Sequence, residues 1–324
     1  DFLRERIHLP LGMTSTRTGI GALRPGDEIA TPHAPAGGEL QPIGPTNLDN
    51  NAPAGAVQSS IGDMARWVML QLNRGELDGK RLFSERQSRE MWSPQTIIPV
   101  TDPRNPALAA VKPMFSAYGL GWALSDYRGR QLVWHTGGLA GMVTRVTLAP
   151  DRKLGIIVLT NQESGEAFDA ITNTVLDHYF GVAPVDWPQA YLDVVKTRVG
   201  DADAAVAKQQ AKRNAGSRPA LELSAYAGRY RDAWYGDVVI EERDGKLRIR
   251  FTHSPLLTGA LEHWQHDTFV ARWDDRTLLA DAYVTFSLKP DGAIDELKMA
   301  AVSPLTDFSF DFHDLLLKPV ARDA

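Results

Sequence analysis

Trp134-His135-Thr136-Gly137-Gly138-Leu139-Ala140-Gly141 joins two short β-patterned runs, residues 131–135 and 142–148, and its reading decides the fold. Gly137 and Gly138 at the end of a strand remove the side chains that would hold another molecule away, so the backbone can be approached closely there. The Gly138 N–H is then a candidate donor to a developing negative charge. Taken alone, the same residues also read as a bulge or turn, and His135 as a satisfied structural histidine.

Working outward, residues 118–124 and 154–160 add two further β runs. Pro150-Asp151-Arg152-Lys153 between the last two is a hairpin connection, which predicts antiparallel pairing. Helices surround these strands. Ser60 and Asp63 have capping-box spacing ahead of Ile61, Met64, Val68 and Leu72, and Ser84 opens a short helix through Met91 and Trp92. Phe168, Ile171, Val175, Leu176 and Tyr179 predict one apolar face of a helix that stops at Gly181. Phe2, Leu3 and Ile7 predict another, ended by Pro10-Leu11-Gly12-Met13, whereas residues 14–56 are rich in Pro and Gly and read as ordered loops. The pattern is α+β.

Residues 186–213 read as helical and increasingly polar, and 214–219 as a linker. Beyond it the period becomes two, with runs 237–243 and 246–251 flanking an Asp244-Gly245 hairpin turn and Pro290-Asp291-Gly292 marking another reversal. Tyr226, Tyr230, Trp234, Trp264, Phe269, Trp273, Tyr283 and Phe286 are spread through these runs as a core for a small antiparallel barrel-like domain. The expected division is residues 1–185, a connector 186–221, and 222–324.

Composition narrows the function classes. A length of 324 residues suits roughly two domains, and 35 basic against 40 acidic side chains leave no surplus to neutralise a phosphate backbone, so nucleic acid is not an expected partner. No apolar run approaches the roughly 20 residues of a transmembrane helix. Zero cysteines rule out disulfides and a thiol nucleophile, and fit either a reducing cytoplasm or a periplasm. His263 and His266 have no carboxylate cluster beside them, so neither a metal nor another cofactor is expected.

His135-Thr136-Gly137 resembles the Lys-Thr-Gly or His-x-Gly motif of the β-lactamase-related serine hydrolases, which include class C β-lactamases, D-alanyl-D-alanine carboxypeptidases, D-aminopeptidases and esterases. The Pro-Leu-Gly-Met phrase at 10–13 is similar to theirs. So are Pro53-Ala54-Gly55 through Ser59-Ser60 with the following Asp63-Met64-Ala65-Arg66-Trp67, and Tyr118-Gly119-Leu120-Gly121-Trp122. These phrases run in family order over about residues 1–181. Residues 222–319 resemble the barrel-like accessory domain of some relatives. The resemblance implies the C-terminal part of a β-lactamase-like α/β sandwich, followed by that domain. It implies that Gly138 supplies an oxyanion N–H, that His135 orients a substrate carboxylate and tunes the proton network, and that Thr136 and Gly137 border the substrate. It also favours a periplasmic or secreted setting.

The same resemblance calls for a Ser-x-x-Lys pair and a Tyr-x-Asn phrase. No serine here has Lys three residues on, and no tyrosine has Asn two residues on. In relatives both lie ahead of the Pro-Leu-Gly-Met phrase, so the chain is expected to be the C-terminal portion of a longer hydrolase and inactive by itself, with the missing N-terminal part and a small-molecule or peptide substrate as its partners. Two alternatives stay open: a non-catalytic protein that recognises peptidoglycan-like or acylated ligands, and a scaffold whose 222–319 region is the binding module. Ser59 and Ser60 read as a helix cap.

Overall fold

Six antiparallel strands form the sheet around residue 135, in the order Leu154–Leu159, Met142–Ala149, Arg130–Leu139, Ala123–Tyr127, Ser116–Tyr118 and Thr96–Ile97. The computed structural model describes residues 1–103 and 105–321. These fall into two units, 1–35 with 39–195, and 36–38 with 196–324. Alternation along Arg130–Leu139 splits the first unit's core. Val133 packs with Leu124, Leu148 and Val68 of the helix Ile61–Leu72 on one face. Leu132 and Trp134 pack with Phe168, Leu176 and Phe180 of the helix Gly165–Phe180 on the other. The arrangement is the α+β pattern that the strands and helices predict, in the sandwich form that the family resemblance implies.

Local chemistry accounts for the element ends. Ser60 Oγ accepts from Asp63 N at 3.2 Å, and Ser84 Oγ from Gln87 N at 3.2 Å, capping the two helices expected there. Gly155 interrupts an otherwise aliphatic strand because a Cβ there would run into Val68 Cγ1, so the glycine lets the Ile61–Leu72 helix lie directly on the sheet. Each Leu or Val buried in this contact is worth roughly 1.5–3 kcal/mol.

Several expectations change. The run 118–124 is two strands, Ser116–Tyr118 and Ala123–Tyr127, because Gly121 takes φ 77° and Gly119 N bonds Trp122 O at 2.7 Å, closing a tight hairpin. The Gly165–Phe180 helix is turned from its expected face. Ile171 and Tyr179 are exposed, and Ala170, Thr172, Asn173 and Asp177 are buried in their place. Asp177 explains the turn: its carboxylate accepts from Tyr127 Oη at 2.7 Å, Arg128 Nε at 3.1 Å and Trp187 Nε1 at 2.7 Å, so a charged residue becomes a core position. Phe2 and Leu3 are exposed as well. The N-terminal helix buries His8 and Leu11, and it ends at Gly12 in the left-handed region.

In the second unit, eight strands run in the order Ile294–Ala301, Ala282–Leu288, Thr268–Trp273, Thr258–Gln265, Lys246–Phe251, Gly236–Arg243, Gly228–Asp232, Lys318–Pro319. Leu297 and Leu317 exchange backbone hydrogen bonds of 2.9 and 3.1 Å, which join the first strand to the last and close the barrel. Asp244 and Gly245 both take positive φ, as the expected two-residue hairpin requires. Tyr226, Tyr230, Phe269, Trp273 and Phe286 fill the interior, whereas Trp234 is 88% exposed, contrary to its expected core position. The helix Trp187–Ala211 carries the chain from one unit to the other. Residues 214–219, read from the sequence as a linker, and Ala220 after them are bonded to the 265–267 turn through Asn214 N, Ser217 Oγ and Ala220 N.

Candidate active site

The strand Arg130–Leu139 outruns its neighbour. Ala123 pairs with Trp134 and nothing in that strand pairs further along, so among the described residues no strand lies beside one side of Arg130–Leu139 from His135 to Leu139. On its other side the pairing with Met142–Ala149 continues to the tip, with Gly138 opposite Val143. Val143 O accepts from Thr160 N at 3.1 Å, so the backbone of Val143 faces away from Gly138. The two residues are a non-hydrogen-bonded pair, and the Gly138 N–H points out along the open edge.

His135 lies over that edge. Its Nδ1 is 2.6 Å from the Thr136 carbonyl, which only accepts, so Nδ1 carries the proton and Nε2 accepts from Tyr118 Oη at 2.8 Å. The two rings meet edge to face with centroids 5.9 Å apart. The Thr136 carbonyl and the Gly138 N–H share one side of the strand, so His135, the Thr136 backbone and the Gly138 donor come together at one edge. The Thr136 side chain belongs elsewhere. It pairs across the sheet with Arg145, on the face of Trp134. Gly137 opposes Thr144, whose Oγ1 would stand 2.8 Å from a Cβ, so packing as well as access calls for glycine there.

Behind the edge the strand is fixed firmly. Trp134 Nε1 donates to Ser125 Oγ at 3.0 Å, and the Arg145 guanidinium lies 4.3 Å from its ring centroid and bonds Asp169 at 2.7 Å. Burial lowers the Arg145 pKa and raises that of Asp169, each working against the charge that the other favours. The hairpin tip is held at Gly141, whose O accepts from His33 N at 3.2 Å and whose N donates to Glu163 Oε2 at 3.3 Å.

Sequence reasoning did not assign Tyr118 to the site. The usable signal was its place at a strand end just before the Gly119-Leu120-Gly121 turn, two strands from His135. Ser59 and Ser60 are structural here: Ser59 Oγ lies 2.9 Å from Thr16 Oγ1, which donates to the buried Asp63 carboxylate at 2.7 Å. Burial lowers the pKa of nearby His8, and Asp63 partly offsets this. His263 Nε2 is 2.9 Å from the His266 carbonyl.

A family model described as Beta-lactamase matches residues 1–179, and one described as a domain of unknown function, DUF3471, matches residues 212–319. The chain is 32% identical over 203 residues to the Unguisins hydrolase ungD' of Aspergillus campestris, covering 60% of this chain and 36% of that protein. It is 28% identical over 292 residues to the Unguisins hydrolase ungD of Aspergillus violaceofuscus, covering 81% and 50%. The chain thus spans half or less of these relatives' length. Among solved structures, the octameric penicillin-binding protein homologue from Pyrococcus abyssi is 17% identical with a TM-score of 0.46, over 98% of this chain and 59% of that one. The D-amino acid amidase from Ochrobactrum anthropi is 21% identical with a TM-score of 0.36, over 49% and 42%. No helix among the described residues is long and apolar enough to cross a membrane.

Proposed function

The chain belongs to the β-lactamase-related serine hydrolases, and on that premise we propose that the open edge at residues 135–139 is one wall of an acyl-transfer site for an amide, ester or β-lactam. The observation that supports this most is the Gly138 N–H, directed along an edge that no strand occupies. A carbonyl oxygen placed there would receive its hydrogen bond as negative charge develops, an effect commonly worth about 3–4 kcal/mol per donor.

In this reading a serine hydroxyl adds to the substrate carbonyl, and its proton passes through a neighbouring base to the leaving amine or alcohol. The acyl-enzyme is then released by water. The serine, its lysine and the proton-shuttling tyrosine come from a segment outside these residues, since no Ser-x-x-Lys or Tyr-x-Asn occurs in them. His135 occupies the position of the family's Lys or His. With Nδ1 turned to the Thr136 carbonyl and Nε2 to the Tyr118 hydroxyl, both ring nitrogens already have partners where the ring borders the substrate.

Gly138→Pro against Gly138→Ala is the test, made in the protein extended to include its Ser-x-x-Lys segment. Proline deletes the N–H without breaking the ladder to Met142–Ala149, and alanine keeps it, a Cβ meeting Val143 only at 3.9 Å. Acylation by a fluorophosphonate or an activated ester should fall about 100-fold or more in Gly138→Pro and stay near wild type in Gly138→Ala. Equal rates in all three proteins would remove Gly138 from the site. A stoichiometric adduct on the 324-residue chain alone would show that its nucleophile is internal.

A further inference from the structure

The two ends of the barrel differ. In an antiparallel meander alternate connections fall at the same end. At one end they are short and polar: Asp244-Gly245, His266-Asp267 and residues 289–293. At the other they are residues 233–235, 252–257, 274–281 and 302–317. All four of this second set line one cavity of about 320 Å³, with Tyr235 from the first, Leu256 and Leu257 from the second, Leu278 from the third and Phe310 from the fourth. That volume is at the lower end of small-molecule sites and suits one aromatic group or a medium-length alkyl chain.

The rim is apolar where water would be expected. Trp234 and Phe308 are each 88% exposed and Leu256 63%, and Leu279 and Leu305 are exposed beside them in sequence; all five lie on these four connections. Large apolar side chains exposed on the connections that line a cavity, with none on the opposite turns, mark a contact surface for an apolar ligand.

The charge at this end has one sign. The four connections contain six aspartates, no lysine and a single arginine, Arg276, which is bound to Asp281 at 2.7 and 2.9 Å. Asp311 and Tyr235 both line the cavity. Burial and the charges of Asp311, Asp314 and Asp232 push the Tyr235 phenol above its ordinary value, so the negative potential reaches the cavity wall. Asp232 accepts from backbone N–H groups, whereas the Asp311 carboxylate lies within 4.8 Å of the Asp314 carboxylate and of a His313 ring nitrogen.

We propose that the open end of the barrel binds a hydrophobic amine, with the apolar group in the cavity between Leu257, Leu278 and Phe310 and the ammonium against Asp311. A carboxylate headgroup would meet Asp311 and Asp314 and be repelled. This site is separate from the edge at His135 and stands or falls without the hydrolase reading.

Isothermal titration of the 324-residue chain with decylammonium and with decanoate, both below micelle formation and at low salt, tests the proposal. Decylammonium should saturate one site, with decanoate at least tenfold weaker. Asp311→Asn should weaken decylammonium up to about fivefold, the size of an exposed ion pair, and narrow the difference between the two probes. Leu256→Ser should weaken both ligands about fivefold with an unchanged Tm, because Leu256 is too exposed to hold up the fold. Equal or tighter binding of decanoate overturns the amine assignment. Absence of saturable binding, or binding that both substitutions leave unchanged, overturns the site.

Discussion

In the first unit the strand Arg130–Leu139 keeps residues 135–139 without a strand on one side, whereas in the second unit Leu297 and Leu317 exchange two backbone hydrogen bonds across the seam of the barrel. An unpaired edge is ordinarily a liability, because its N–H and C=O groups attract any passing strand. The barrel removes that liability by closure. The sheet retains it over one short stretch, caps one carbonyl with His135 and leaves the Gly138 N–H without a strand partner. In the acyl-transfer site proposed for the first unit, the chemistry would sit on backbone that the fold leaves without a strand partner. In the second unit the backbone at the seam is satisfied, and the proposed amine site rests on side chains of the loops.

Each arrangement includes a buried aspartate that gathers three donors, and removing these is the sharpest way to test the contrast. Asp177 joins the sheet, the Gly165–Phe180 helix and the start of Trp187–Ala211 through three side-chain donors. Its loss would leave Tyr127 Oη, Trp187 Nε1 and Arg128 facing a hole. Asp177→Ala should therefore cost the first unit about 3–5 kcal/mol while the barrel's own unfolding transition stays in place. Denaturant unfolding followed by hydrogen exchange resolves the two units. If barrel and sheet are lost together, the two do not have separate stabilities.

The barrel's counterpart is Asp232, which accepts from Trp234 N at 2.7 Å, Tyr235 N at 2.9 Å and Leu316 N at 2.8 Å. Burial alone would raise its pKa, but these donors outweigh burial and hold the carboxyl below its usual range. With the folded value depressed, the stabilisation is present above the unfolded pKa of about 3.9 and disappears as pH falls through the folded value. Asp232→Asn sets an amide N–H₂ against either Leu316 N, one residue from the closing Leu297–Leu317 pair, or the Trp234 and Tyr235 N–H groups. It should cost about 1.5–3 kcal/mol near neutral pH and flatten the acid side of the barrel's stability curve. Faster exchange at Leu317 than at Ile249 would place the damage at the seam; a uniform loss would mean that the barrel opens as one unit.

How much of this was legible in the sequence follows the range of the interactions. Ser60, Ser84 and Asp244-Gly245 act within four residues, and the elements they start or join form where their spacing predicts. The strand alternation that ends in Gly137-Gly138 was equally local. Helix orientation was not, because Asp177 finds Tyr127 across 50 positions and a buried carboxylate leaves no mark on an apolar period. The open edge escaped for a similar reason: it depends on where the neighbouring strand stops at Ala123, which Gly121 decides on a different hairpin. Trp234 reads as core in any aromatic count, and only the meander's alternation assigns it to the loop end.

The smallest expected effect tests whether the edge is held ready by its own side chains. Tyr118 Oη and His135 Nε2 are 2.8 Å apart, and Tyr118 is half-buried at the end of Ser116–Tyr118. Tyr118→Phe removes one hydrogen bond and keeps the edge-to-face packing of the rings, so its stability cost should be about 0.5–1 kcal/mol or less. The bond matters more for proton placement. With Nδ1–H given to Thr136 O and Nε2 accepting from the phenol, the neutral ring is confined to one tautomer. Without the phenol, water can accept from Nε2–H, and the second tautomer gains population. Nitrogen-15 NMR of labelled His135 at a pH where the ring is neutral should show the Nδ1-protonated form dominant in wild type and a mixture in Tyr118→Phe. The chemical shifts of Leu247 and Ile249 in the barrel should not move. A mixture already present in the wild type would mean that the ring is free at the open edge, and that Thr136 alone governs which way it faces.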